Sequence, residues 1–354
     1  MMSPVDTRIA FIGGANNPAA LDAVIALHNA GYEVIVGDHD PRESVALRDA
    51  NIPFSVGRAE AVEQVQVVIT SLESPEKVED VYLGSNGLLE LMKPGSYALD
   101  LSFIPPKLAR EIQAMGAVSD IYVVDAPLVN YGDHEEPTLF VGGEQQVQSD
   151  LSPLFPYLAK NVMPQEGAGQ GQFAAVLATI ALAGSLMGAI EALSVARVSG
   201  FSQKAAVSLI AETAGASRAF VDYTPQVLEH DFSGTIHVST FLNALSVALS
   251  VAEELDITMP LTETAFQLYE LLSTVGGDDL NLQALSLLYE DEKTCADYGL
   301  DWALADNYAS QAGVDGVDLD ELFGDDGDDE DGEPDDGQQD GPDMPPIGGF
   351  FSRN

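Results

Sequence analysis

Short β-branched runs alternate with apolar helical patterns as far as about residue 167, and beyond that only helical patterns remain. Residues 8–12, 33–36, 67–70, 97–101 and 121–124 read as strands, with helices such as 19–30 between them and a further strand at 138–141. Strands joined through helices pair in parallel with right-handed crossovers, so the first half is expected to be an α/β, doubly wound parallel sheet. The second half is expected to be all-α. It opens with the long segment 173–199 and continues through 204–213, 239–254, 261–273 and 282–289. The expected divisions are therefore 1–165, 166–312 and a tail, 313–354.

Charge narrows the partners. The 354 residues hold 57 acids and 14 bases, a net charge of −43. Residues 311–354 contribute fifteen acids against Arg353, which leaves −29 on residues 1–310. Such a surface repels a phosphate backbone and offers no basic stripe to release its counterions, so nucleic acid is not an expected partner. It suits a high-salt cytoplasm or simply colloidal solubility, and both readings stay open. The tail is rich in Asp, Glu and Gly, cannot bury enough apolar surface to offset its ordering entropy, and is expected to be disordered. Its apolar interruptions, residues 319–323 and 345–351, leave room for a protein partner, although a solvating role accounts for the tail without one.

Residues 173–190 are uncharged and long enough to cross a bilayer. Their many Ala and Gly residues suit close helix packing and their flanks lack a Lys/Arg asymmetry, so a buried central helix is expected and no membrane. Cys295 alone builds neither a disulfide framework nor a Cys-based metal site. The five His, at 28, 39, 134, 230 and 237, have no metal-ligand spacing, so no metal site is expected. No secretory signal pattern opens the chain, and together with the lone Cys this points to the cytoplasm.

The first strand runs into Gly13-Gly14-Ala15-Asn16-Asn17-Pro18, where a dinucleotide fold places its phosphate turn. The full G-x-G-x-x-G is absent. Gly13 and Gly14 can make the turn, Asn17 can cap the helix and Pro18 can open it, so free N–H groups still face the loop. A ligand-free turn is the alternative. Asp38, at the end of the second strand, can hydrogen-bond ribose hydroxyls and disfavour a 2′-phosphate, which slightly favours NAD over NADP. In so acidic a chain that signal is weak.

Residues 67–106 (VVITSLESPEKVEDVYLGSNGLLELMKPGSYALDLSFIPP), Asp125-Ala126-Pro127, Gly169-Gln170-Gly171-Gln172, Glu191-Ala192, Asp231-Phe232 and Met259-Pro260-Leu261 resemble the β-hydroxyacid dehydrogenases, a family that includes 3-hydroxyisobutyrate dehydrogenase. The resemblance covers most of residues 8–290. It implies a Rossmann-type domain binding NAD or NADP, joined by a long central helix to an all-α domain. It also implies a homodimer or homotetramer, and a small-molecule substrate in the interdomain cleft. By position it places cofactor contacts at Gly13, Gly14, Asn16, Asn17, Asp38, Leu72 and Ser102.

The family's reaction uses a Lys on the long helix as general acid/base, an Asn one turn later, a Ser-Gly-Gly that holds the substrate carboxylate, and a later Lys-Asp-Leu. The matching positions here are Ala175, Thr179, Val129-Asn130-Tyr131 and the neighbourhood of Asn243. No Lys lies between Lys160 and Lys204, nor between Lys204 and Lys293. Losing a positioned acid typically costs about 10²–10⁴ in rate. Phe103, in the place of a family Thr, and Val129 replace hydroxyls with apolar groups and favour a less polar substrate.

Two functions remain open. One is an NAD(P)-dependent oxidoreductase acting on an unidentified carbonyl, imine or alcohol. Tyr131 is then the candidate proton donor, provided its pKa is lowered by the cofactor's charge, and Val129, Asn130, Ala175, Thr179, His237 and Asn243 are candidate substrate contacts, with His134 a further candidate in the altered loop. The other is a catalytically degenerate nucleotide-binding or regulatory relative. Imine reductases also lack the Lys and take less polar substrates, an analogy that rests on that absence alone.

Overall fold

The computed structural model describes residues 2–4, 6–13, 18–37, 45–55, 57–131 and 137–305. Gly14, Asn16, Asn17, Asp38, His134 and the tail lie outside the described residues. Within the described residues, six strands form one parallel sheet: β1 (Arg8–Gly13), β2 (Glu33–Gly37), β3 (Phe54–Ser55), β4 (Val67–Ser71), β5 (Tyr97–Asp100) and β6 (Tyr122–Asp125). Their order is β3-β2-β1-β4-β5-β6. The strand path reverses between β1 and β4, which makes a crevice at their carboxyl ends, the place where doubly wound sheets bind ligands.

Both faces of this sheet are covered, which is why its strands are continuous apolar runs rather than alternating ones. Ile9 and Phe11 join one core with Ala20, Val24 and Leu27 of the helix Pro18–Asn29. Ala10 and Ile12 point the other way, into a core with Val78, Tyr82, Leu88 and Ile112. A second sheet joins β7 (Leu128–Val129), β8 (Thr138–Val141) and β9 (Asn161–Pro164), antiparallel between β7 and β8 and parallel between β8 and β9. Sequence pattern shows only β8 of these three, because β7 has two residues and β9 is mostly exposed and ends in Pro164.

The expected long segment is the helix Gln170–Val198, 29 residues and about 43 Å long. Its amino end packs on β6 and β8, and its length packs on the helices Arg218–Glu229, Val238–Leu255 and Pro260–Leu272. The apolar stretch that passes as a membrane span is thus the spine of the fold, with half of its most apolar window buried in protein. It begins earlier than the sequence reading places it, because the buried Asp125 side chain accepts from the N–H groups of Gly169 and Gln172, both at 2.9 Å.

Two features differ from the sequence reading. Arg218–Glu229 is helical despite Pro225, whose missing N–H breaks the helix signature, since Phe220, Tyr223 and Val227 bury one face. Leu282–Tyr289 is a 3-10 helix rather than an α-helix, and residues Leu282 to Leu288 are all buried. A segment surrounded by core on every side has no amphipathic face to select the 3.6-residue period.

Candidate active site

A cleft of about 1160 Å³ opens where β1, β4 and β5 end and where the helical region faces them. From the sheet side it is lined by Gly13, Leu72, Ser102 and Phe103, and from the helical side by Thr235, His237, Phe241 and Asn243. Gly13 has φ +84, and a Cβ built on it would lie 2.4 Å from the Ser71 carbonyl oxygen and 2.7 Å from Leu72 Cδ2. Glycine is therefore required here both for its backbone conformation and for the close approach of β1 to β4. The bare Gly13 backbone, the crevice at the strand-order reversal and the amino end of Pro18–Asn29 are suited to the pyrophosphate of a dinucleotide.

Beneath the cleft floor lies a polar knot that sequence reading did not find. Asp100 Oδ1 accepts from Thr70 Oγ1 at 2.8 Å, Ser102 Oγ at 2.6 Å and Ser102 N at 3.1 Å. Since the Thr70 proton goes to Asp100, Tyr82 OH donates to Thr70 Oγ1 at 2.8 Å. Asp100 is almost wholly buried, its Oδ2 has no partner, and burial raises its pKa to about 6 against the pull of the Ser102 and Thr70 hydrogen bonds. Burial also raises the pKa of Asp125, in the neighbouring strand register, although Gln172, Gly169 and Gln113 donate to it. An acid in two successive strand ends, at Asp100 and Asp125, was the available signal.

This knot alters the expected roles of two cofactor contacts. Ser102 and Leu72 line the cleft, but the Ser102 hydroxyl donates to Asp100 and accepts from Leu72 N at 2.9 Å, so those polar groups hold strand ends together. Gln172 braces the same turn, accepting from Ile104 N at 3.0 Å and donating to Ser102 O at 2.8 Å.

The candidate proton donor and substrate contacts separate into two groups. Val129, Asn130, Tyr131, His237 and Asn243 line the cleft. Ala175 and Thr179 do not; both are fully buried, Ala175 packing with Val129 and Phe140 while Thr179 lies under Tyr131. Asn130 and Asn243 reach across the cleft, because Asn130 Nδ2 donates to Thr235 Oγ1 at 2.9 Å and Asn243 Nδ2 to Glu73 O at 2.7 Å. Their amide donors thus join the two halves of the molecule. Phe103 also does more than line the cleft, since it packs against three separate apolar clusters.

Tyr131 stands edge-on to Phe241, with ring centroids 6.3 Å apart, and its hydroxyl lies 2.5 Å from Thr179 Oγ1. Thr179 Oγ1 in turn donates to Ala175 O at 2.9 Å, so the Tyr131 proton points at Thr179. Burial pushes the Tyr131 pKa up to about 12, with Thr179 pulling the other way. The lowered pKa expected for a proton-donating phenol is not what the protein alone provides.

The class defined by this fold and cleft is the nicotinamide-dinucleotide-binding protein with a Rossmann-type sheet followed by a helical region. Residues 8–167 match the NAD-binding domain of 6-phosphogluconate dehydrogenase, and residues 169–289 match the NAD-binding region of NADP-dependent 3-hydroxyisobutyrate dehydrogenase. The chain belongs to the β-hydroxyacid dehydrogenase family.

It is 28% identical over 265 residues to an uncharacterised oxidoreductase of Bacillus subtilis, covering 74% of this chain and 92% of that one. It is 29% identical over 297 residues to a probable mitochondrial 3-hydroxyisobutyrate dehydrogenase-like protein of Arabidopsis thaliana, covering 82% and 87%. Its fold matches that of Mycobacterium tuberculosis 3-hydroxyisobutyrate dehydrogenase, solved with L-serine, at a TM-score of 0.71 and 24% identity over 79% of this chain and 98% of that one. The fold of an imine reductase from Myxococcus stipitatus, solved with NADP+, matches at a TM-score of 0.53 and 15% identity over 79% and 99%.

Proposed function

We propose that the protein is an NAD(P)-dependent oxidoreductase whose substrate is less polar than a 3-hydroxy acid. The observation that carries this reading is the cleft itself, which joins a dinucleotide crevice at Gly13 to a space where Phe103, Val129 and Phe241 stand beside Thr235 and His237, with no Lys at the family's catalytic position. In this reading residues 1–165 hold the cofactor and residues 166–312 close over its reactive end. When bound, the nicotinamide supplies or accepts hydride. The chain's contribution is to orient and to exclude water: Asn130 and Asn243 hold the two halves together, and the Asp100 knot keeps the strand ends rigid beneath the cofactor. Asp38, by its place in sequence, favours NAD.

The second reading, a relative that binds the nucleotide without catalysis, is favoured by one observation: the Tyr131 proton is engaged by Thr179. Titration with NADH and NADPH at low and high salt, followed by nicotinamide fluorescence, tests both. Micromolar binding of either supports a nucleotide site, and oxidation of the bound cofactor by an added substrate selects the enzyme. A folded protein that binds neither refutes the oxidoreductase reading.

A further inference from the structure

We infer that Asp100 sets which redox form of the cofactor the cleft prefers: as a carboxylate it favours the oxidised, cationic nicotinamide ring, and as a neutral acid it gives up that preference. This inference rests on the oxidoreductase reading above and adds a specificity-determining residue to its site. The first argument is place. In a doubly wound sheet the turn after the first strand takes the pyrophosphate and an acid after the second takes the adenosine ribose, so the nicotinamide falls to the other half. Here that half is β4, β5 and β6. Asp100 ends β5, and the next residues, Leu101, Ser102 and Phe103, line the cleft.

The second argument is an unbalanced charge. Asp100 is almost wholly buried, Thr70 and Ser102 both donate to its Oδ1, and its Oδ2 has no partner. Around it β4 presents Thr70 with the phenol of Tyr82 behind, the turn after β5 presents Ser102, and β6 presents Asp125. Among the described residues no Lys, Arg or His is paired with Asp100. The charge that reaches it is another carboxylate, Asp125, which adds to the rise that burial gives its pKa, to about 6. A positive charge placed above a buried carboxylate of this kind stabilises it, and does so more strongly than at a surface because the local dielectric is low.

The third argument is that the cofactor brings such a charge in one redox form only. Oxidised and reduced dinucleotides share the adenosine, both riboses and the pyrophosphate, and they differ at the ring, which is cationic in one and neutral in the other. The ratio of their affinities therefore cancels everything except the ring and what senses it. His237 also lines the cleft, and imidazoles as a class change charge between about pH 5 and pH 8, so it is the group to be told apart from Asp100.

The test uses the full chain with NAD+ and NADH, or with NADP+ and NADPH if that pair binds. The reduced form is titrated by its fluorescence, freshly mixed at each pH, and the oxidised form by displacing it. The ratio of dissociation constants, oxidised over reduced, is expected to rise about fivefold from about pH 7.5 to about pH 5 as Asp100 takes up its proton. D100N is expected to flatten that dependence. At about pH 7.5 it should also weaken the oxidised form about tenfold and leave the reduced form within about twofold. T70V removes a donor that holds the Asp100 pKa down, so it should keep the dependence and move its midpoint to higher pH. H237Q should leave the dependence in place.

A ratio that does not change with pH in the wild type overturns the inference, as does a dependence that survives D100N or disappears in H237Q. Equal weakening of both redox forms by D100N also overturns it, since loss of a structural brace alone would do the same. If neither pair binds the folded protein, the oxidoreductase reading itself fails and takes the inference with it.

Discussion

Replacing Asp100 with Asn tests whether the cleft floor stores a buried charge. The carboxyl has a pKa of about 6 in the fold against 3.8 for an ordinary Asp, and burial is the main cause. Two pKa units are worth about 3 kcal/mol, at 1.36 kcal/mol per unit. The sign follows from the direction. The folded state holds this proton more tightly than the unfolded state, so the contribution is fully present below about pH 4 and is lost as pH rises to about 6. Asn keeps the Oδ1 acceptor for Thr70 and Ser102 but does not titrate. Urea unfolding at constant ionic strength, from about pH 4 to about pH 7, should therefore show D100N gaining about 2 kcal/mol on the wild type across the range. Parallel curves, or a gain toward low pH, would refute the assignment of the charge to Asp100.

Three further outcomes follow from the packing. Gly13→Ala forces a Cβ against Ser71 O at a positive φ and should cost at least about 2 kcal/mol in urea unfolding; a cost under about 0.5 kcal/mol would contradict the close approach of β1 and β4. Asp125→Asn turns an amide donor toward N–H groups of Gly169 or Gln172 and should cost about 1–3 kcal/mol, read in the same assay and accompanied by faster amide exchange at the start of the long helix. The net −43 should make the melting temperature rise by at least about 5 °C between about 0.1 M and about 1 M KCl in a thermal scan, and a flat response would show that self-repulsion is not limiting.

The sequence by itself determined the architecture, because a parallel sheet buried on both faces requires continuous apolar strands spaced by helices. The runs at β1, β2, β4, β5 and β6 carry that pattern unambiguously. The same local logic located the long helix and the turn at Gly13, while the family resemblance supplied Val129 and Tyr131 by position. Tertiary structure decided what depends on partners distant in sequence. The two-residue strand β7 exists only because β8 lies beside it, and Leu282–Tyr289 is a 3-10 helix because core surrounds it on all sides.

The polar groups of the site show the same division. Position within the family resemblance made Ser102, Asn130, Asn243 and Thr179 candidate ligand contacts. Only their neighbours across 30 to 170 positions of sequence show where those groups are spent, on Leu72, Thr235, Glu73 and Tyr131. A side-chain polar group serves few partners well, and which partners it serves is a property of the folded chain rather than of the residue.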